Sequence, residues 1–173
     1  MADSTMIRMS TMGILRLTDG GAVTLNVPYD VGDLKCTGVT KYLNEVVDAE
    51  ARGGYISSWY GKRTYPELSF SALCARMSSA SVGVLRDFLN GQNAYSANVS
   101  TLGAGRLHTV KAELLVEGSD FLDADEVLTF EHFFPGTQDF DASEIHTWAF
   151  GGKVYGRVLK DGVVLAQPIK ANA

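Results

Sequence analysis

YISSWYGKRTYPELSFSALCARM, residues 55–77, decides the fold. From Leu68 onward it alternates strictly: Leu68, Phe70, Ala72 and Cys74 fall on one face, with Arg76 extending it. Ser69, Ser71, Leu73 and Ala75 fall on the other. Period-2 alternation with aromatic content marks a strand whose one face meets a core. Residues 55–60 read as a preceding strand, and Gly61-Lys62-Arg63 as the tip of the hairpin between the two. Pro66 lacks a backbone donor, so it marks the start or the edge of the second strand. After Met77 the pattern changes to the chain's single helix, and everything else reads as strand and turn.

Working outward, residues 13–18 and 22–27 flank Asp19-Gly20-Gly21, which supplies the positive φ values of a tight hairpin turn. Pro28 ends that hairpin. Residues 34–39 read as a short strand. Residues 40–51 carry helix formers, yet the alternation of Glu45, Val47 and Ala49 against Val46, Asp48 and Glu50 favours a strand, broken by Arg52-Gly53-Gly54. For the helix, Ser78, Ser79 and Ser81 offer N-cap oxygens. Val82, Leu85, Phe88 and Leu89 share one side, and Asn90-Gly91 supplies a left-handed stop. The helix therefore covers about 81–90. Too short to persist alone, it needs a sheet beneath its apolar stripe.

Beyond it, residues 95–102 read as a further strand. Residues 107–117 place Val110, Ala112, Leu114 and Val116 on one face. Residues 127–134 place Leu128, Phe130 and Phe134 together, with Pro135-Gly136 closing the strand. Residues 145–150, 153–159 and 163–169 are the last strands, joined at Gly151-Gly152 and Asp161-Gly162. The sum is a mainly β protein: a β-sandwich or barrel of nine or ten strands with one packed α-helix. Residues 12–173 form a single domain, and residues 1–11 an arm without periodicity that orders only on assembly.

Composition narrows function mainly by exclusion. At 173 residues, 46% hydrophobic and 20% charged, the chain suits one domain with a sizeable core. A net charge of −5 is no footprint for general nucleic-acid binding. No apolar run approaches a membrane span, and the first residues lack signal-peptide features, so synthesis and folding in cytoplasm are expected. Cys36 and Cys74 each lie in a strand-like run and read as small hydrophobes, not a disulfide. His108, His132 and His146 lack close metal-motif spacing and read as sheet residues. No phosphate loop and no Gly-x-Ser-x-Gly nucleophile occurs. Asn98-Val99-Ser100 matches a glycosylation acceptor by chance. No catalytic residue, cofactor or metal site is assigned, and an enzyme ranks third among the functional classes.

The acids are uneven. Residues 113–144 hold ten of the chain's twenty acids and no Lys or Arg, while nine of the fifteen basic residues lie in the first half. A glycosidase carboxylate pair and a calcium loop both lack the required spacing. A solvated acidic face, or a surface that repels something anionic, fits better. The asymmetry suits identical subunits meeting basic patch to acidic patch.

The order of elements resembles that of bacteriophage tail-tube proteins, which are related to the inner tube of type VI secretion. The resemblance runs from the N-terminal arm and early hairpin, through the long strand pair 46–77 with its Gly61-Lys62-Arg63 tip, to Pro66-Glu67-Leu68-Ser69-Phe70-Ser71, the helix and the later strands. It implies a structural virion protein forming stacked, hexameric rings of a tail tube, assembled in the host cytoplasm beside other tail proteins. DNA would pass through without specific binding, and no membrane is involved. Under this resemblance Trp59, Tyr60, Lys62 and Arg63 are expected at inter-subunit contacts, and Glu113, Glu117 and Glu131 on the lumen wall. A distal tail or tail-completion protein shares the fold. From another class, a monomeric β-barrel binding a small apolar ligand or sugar would use Trp59, Trp148 and the tyrosines.

Overall fold

The structure, a computed structural model, describes residues 13–28, 34–73, 79–116, 125–141 and 147–167. The expected arm, Cys74, Glu117 and His146 lie outside these. The fold is mainly β with one helix, as the alternation implied. In chain order come β1 (Gly13–Thr18), β2 (Thr24–Pro28), β3 (Leu34–Thr37), β4 (Asn44–Ala51), β5 (Gly54–Arg63), β6 (Glu67–Leu73) and α1 (Ser79–Asn90). A short 3-10 turn at Asn93–Tyr95 leads to β7 (Val110–Val116), β8 (Glu126–Asp141), β9 (Thr147–Val154), β10 (Val158–Lys160) and β11 (Val163–Ala166).

The strands described pair antiparallel, in the order β2-β1-β7-β8-β9-β6-β3, with β10 beside β8 and β11 beside β10, while the isolated bridge Tyr42–Gln167 is parallel. This sheet curls over one core. Leu15 and Leu17 of β1, Phe70 of β6, Val110 and Ala112 of β7, Phe130 and Phe133 of β8 and Phe150 of β9 are all buried in one cluster. Leu85, Phe88 and Leu89 of α1 belong to the same cluster, so the helix lies on the sheet by its apolar stripe. Gly91, at φ +60, ends the helix as expected. Cys36 is half-buried on β3, where burial pushes its thiol up to about 11, so it stays a neutral thiol.

β8 links the two halves of the sheet. At 16 residues it pairs with β7 and β10 through its first half and with β9 through its second. His132 has φ +56, and the β7–β8 register shifts there, so Phe130 and Phe133 both turn inward. Such a bulge inserts one residue and bends the strand. This overturns the expected face: Phe133 is buried, and Phe134 is only half-buried. The expected stop at Pro135-Gly136 is also absent. Pro135 sits inside β8 at a second bulge, a place where a missing donor is tolerated.

Three further corrections have physical reasons. Gly151-Gly152 is not a turn but the middle of β9. A Cβ at Gly152 would run into the Phe134 carbonyl, and one at Gly151 would lie 2.7 Å from Thr137 Oγ1, so glycine permits the close approach of β8. Residues 95–102 form turns, not a strand, because Ser100 Oγ binds the Leu102 and Thr109 amides and the Leu107 carbonyl. Finally, β5 pairs with β4 and not with β6: Ala51 opposes Gly54, so the hairpin tip is Arg52-Gly53. Gly61-Lys62-Arg63 stands at the hairpin's base, where a register shift near Glu45 absorbs Gly61 and Lys62.

Candidate assembly surface

The β4–β5 hairpin forms a two-stranded sheet of its own, outside the nine-stranded one. Its sequence alternates well enough to make strands, but no core lies beneath either face. Val46 is 58% exposed, Tyr55 69%, Ile56 61%, Trp59 52% and Tyr60 54%. An isolated hairpin is marginal in water, and unpaired strand edges invite another chain. Large side chains left in water on such a ribbon are the usual sign of a protein contact.

Its base is fixed firmly. The Leu43 amide donates to the Gln167 carbonyl at 3.1 Å, the Gln167 amide to the Lys41 carbonyl at 3.3 Å, and the Thr64 amide to the Leu43 carbonyl at 2.9 Å. Leu43 itself is buried in the core. Arg63 Nη2 donates to the Tyr155 carbonyl at 2.9 Å, and its guanidinium lies 5.2 Å from the Tyr65 ring centre. Tyr65 packs edge-on against Tyr155 at 4.7 Å, and Phe134 follows at 6.5 Å. The ribbon is thus held at its root and free along its length.

The four hairpin residues named from sequence therefore divide. Trp59 and Tyr60 are displayed along β5, and Tyr60 rests edge-on against Tyr42. Lys62 is exposed near the base, while Arg63 anchors the ribbon to the body. Sequence reading missed Val46, Tyr55 and Ile56. The true tip, with Gly53 and Gly54 at φ +128 and +130, was the available signal.

The acidic residues meet basic partners on their own strand or from distant segments. Glu113 Oε1 lies 2.9 Å from Lys111 Nζ. Glu131 accepts from Arg157 Nη2 at 2.7 Å and Nε at 2.9 Å, and from the Arg157 amide at 3.2 Å. These hydrogen bonds and the adjacent positive charge hold the Glu131 carboxyl below its ordinary range, against the opposing effect of partial burial. Lys160 pairs with Glu126 at 2.9 Å. A run that is purely acidic in sequence becomes a face of mixed charge on the sheet.

His132 Nδ1 meets Thr101 Oγ1 at 2.9 Å, and His108 Nε2 lies 3.4 Å from the Phe88 carbonyl, so both histidines act within the framework. Among the described residues no group of three His, Cys, Asp or Glu side chains could hold a metal ion, and no helix is long and apolar enough to cross a membrane.

No protein-family model matches the chain, and no curated protein matches it in sequence. Solved structures match the fold over almost its whole length. A chain in the sheath/tube terminator structure of the PVC extracellular contractile injection system, in the extended state, is 10% identical; the match covers 92% of this chain and 99% of that one, at a TM-score of 0.59. A chain in the six-fold symmetrised baseplate of the anti-feeding prophage is 9% identical over 94% and 99%, at 0.56. A chain in the tube-terminating cap of the same prophage is 12% identical over 92% and 93%, also at 0.56. Identities this low establish a common fold and nothing finer.

Proposed function

We propose that this chain is a structural subunit of a phage-tail-like particle, and that it forms six-membered rings which stack into the tail tube. One observation carries the reading: the fold is shared, over more than nine-tenths of the chain, with components of contractile injection systems. The six-fold symmetry of one neighbouring assembly supports the ring number. The rooted, apolar β4–β5 ribbon supplies the contact between subunits, with Trp59 and Tyr60 as its aromatic anchors; such residues dominate interface energetics.

The role is mechanical and not enzymatic, the partners are further copies and other tail proteins, and the place of action is the particle tail after assembly in the host cytoplasm. A polymer such as DNA passes through the ring without being held. Glu113, Glu117 and Glu131 face that lumen in this reading, with Glu113 and Glu131 as ion pairs. The wall is then close to neutral, and the cations Lys111 and Arg157 on it are taken up by carboxylates, which leaves them less free to release counterions and bind phosphate.

Two of the neighbouring structures are a tube terminator and a terminating cap, which favours a second reading: a single ring that ends a tube. Negative-stain images of the concentrated protein separate the outcomes. Stacked rings support the tube, isolated rings support the terminator, and a monodisperse globule of 18.7 kDa would defeat both.

A further inference from the structure

Ion pairing divides the molecule's charges into two classes. On the β7–β8–β10 face Lys111, Arg157 and Lys160 are each paired with a carboxylate. Among the described charges without an ion-pair partner, two groups cluster on the surface. One is Lys35, Glu67 and Lys153, exposed on β3, β6 and β9. The other is Asp48, Glu50 and Arg52, at the far end of the hairpin. The first cluster has two cations and one anion, and the second two anions and one cation.

The first cluster lines a cleft of about 590 Å³ on the outward face of β3, β6, β9 and the second half of β8. Register sets its shape. Lys35, Ser69, Gly151 and Thr137 lie opposite one another across four strands, as do Thr37, Glu67, Lys153 and Phe134. Small side chains at Ser69 and Thr137, and none at Gly151, make the floor. Phe134 and Tyr155 form the wall. A shallow floor of this kind accepts a flat β-ribbon, since facing sheets pack about 10 Å apart. Lys35 and Lys153 stand two strand spacings and two residues apart, about 12 Å, and Asp48 and Glu50 fall on one face of β4 about 7 Å apart, so flexible lysine stems span the difference.

We infer that this cleft receives the β4–β5 hairpin of a second copy of the chain, with Asp48 and Glu50 meeting Lys35 and Lys153, and Arg52 meeting Glu67. The inference rests on the assembly reading above and names the acceptor for its ribbon. Donor and acceptor are different surfaces, so the contact is head-to-tail: it propagates from copy to copy and closes into a ring or continues as a stack. The cleft wall at Tyr155 also holds the root of the copy's own hairpin through Arg63, so one rigid body offers a ribbon and receives another.

Charge reversal tests this with full-length protein. Lys35→Glu with Lys153→Glu should reduce the assembled fraction in sedimentation at least tenfold, and Asp48→Lys with Glu50→Lys should do the same. All four sites are exposed, and an unchanged thermal midpoint will show that the subunits stay folded. The two variants mixed in equal amounts should assemble again, because each then meets a neighbour of opposite charge. A folding defect could not be cured by mixing. If wild-type protein assembles and the reversed cleft does too, or if the mixture stays dispersed, the cleft is not the acceptor although the assembly reading stands. If wild-type protein remains a monomer, both fall.

Discussion

Two hairpins, β1–β2 and β4–β5, are built from similar residues, and they meet opposite fates. In β1–β2, Leu15, Leu17 and Val27 are buried, and the turn is tied to the body. Asp19, itself buried, accepts from the amides of Gly21 at 2.9 Å, Val23 at 2.7 Å and Val99 at 3.1 Å. A Cβ on Gly20 would come within 2.6 Å of the Ser100 carbonyl. In β4–β5 a Cβ added at Gly53 or Gly54 would meet nothing within 4 Å, and the strands show their large side chains to water. Alternation makes both into ribbons. Burial makes only one of them part of the fold, and leaves the other for a partner.

The largest effect expected from this contrast is in the core. Phe88 is fully buried against the sheet and packs edge-on with Tyr95, so Phe88→Ala should cost about 3–5 kcal/mol in urea unfolding. A loss below about 1 kcal/mol would place the helix outside the core and erase the distinction. Next comes the tied turn. Asp19→Ala strands three amides and should cost about 1–3 kcal/mol, whereas Arg52→Ala, at the free tip, should cost less than about 0.5. Equal losses at the two turns would contradict the comparison.

A smaller effect concerns Glu131 and Arg157. The folded carboxyl is held below its ordinary value, so its contribution is present at neutral pH and disappears as pH falls through that lowered value. Arg157 is half exposed, which limits the pair to about 0–1 kcal/mol. Glu131→Gln should therefore differ from wild type at pH 7 and converge with it in acid. A gap that persists in acid would assign the stabilisation to packing. The smallest effect belongs to the ribbon: Trp59→Ser with Tyr60→Ser should shift subunit stability by less than about 0.5 kcal/mol while abolishing assembly. A large drop in the thermal midpoint would show that the aromatic residues fold back on the body.

Much of the architecture was legible in one dimension. Period-2 alternation in residues 13–18, 44–51, 67–73 and 110–116 located strands, because each pairs with a neighbouring strand; all but 44–51 also bury one face. The helix stripe, the Asn90-Gly91 stop and the Asp161-Gly162 turn, with φ +50 and +80, were equally readable, since capping and turn chemistry are local. Composition and spacing likewise offered no motif for catalysis.

Tertiary structure decided the rest, and for one reason: a residue's neighbours across a sheet come from distant chain segments. Glycine signals were ambiguous, because Gly151-Gly152 and Gly61 serve close approach and register shift instead of reversal. The bulge at His132 moved Phe133 into the core, which no regular period foretells. The acidic run lost its bare charge when Lys111 shared its strand and Arg157 arrived beside it. Residues 54–63 and 67–73 look alike in sequence, yet one strand is exposed almost throughout and the other enters the core. Alternation determines that a strand can form; only the presence of a second layer determines whether its apolar face is satisfied within the chain or must find another copy.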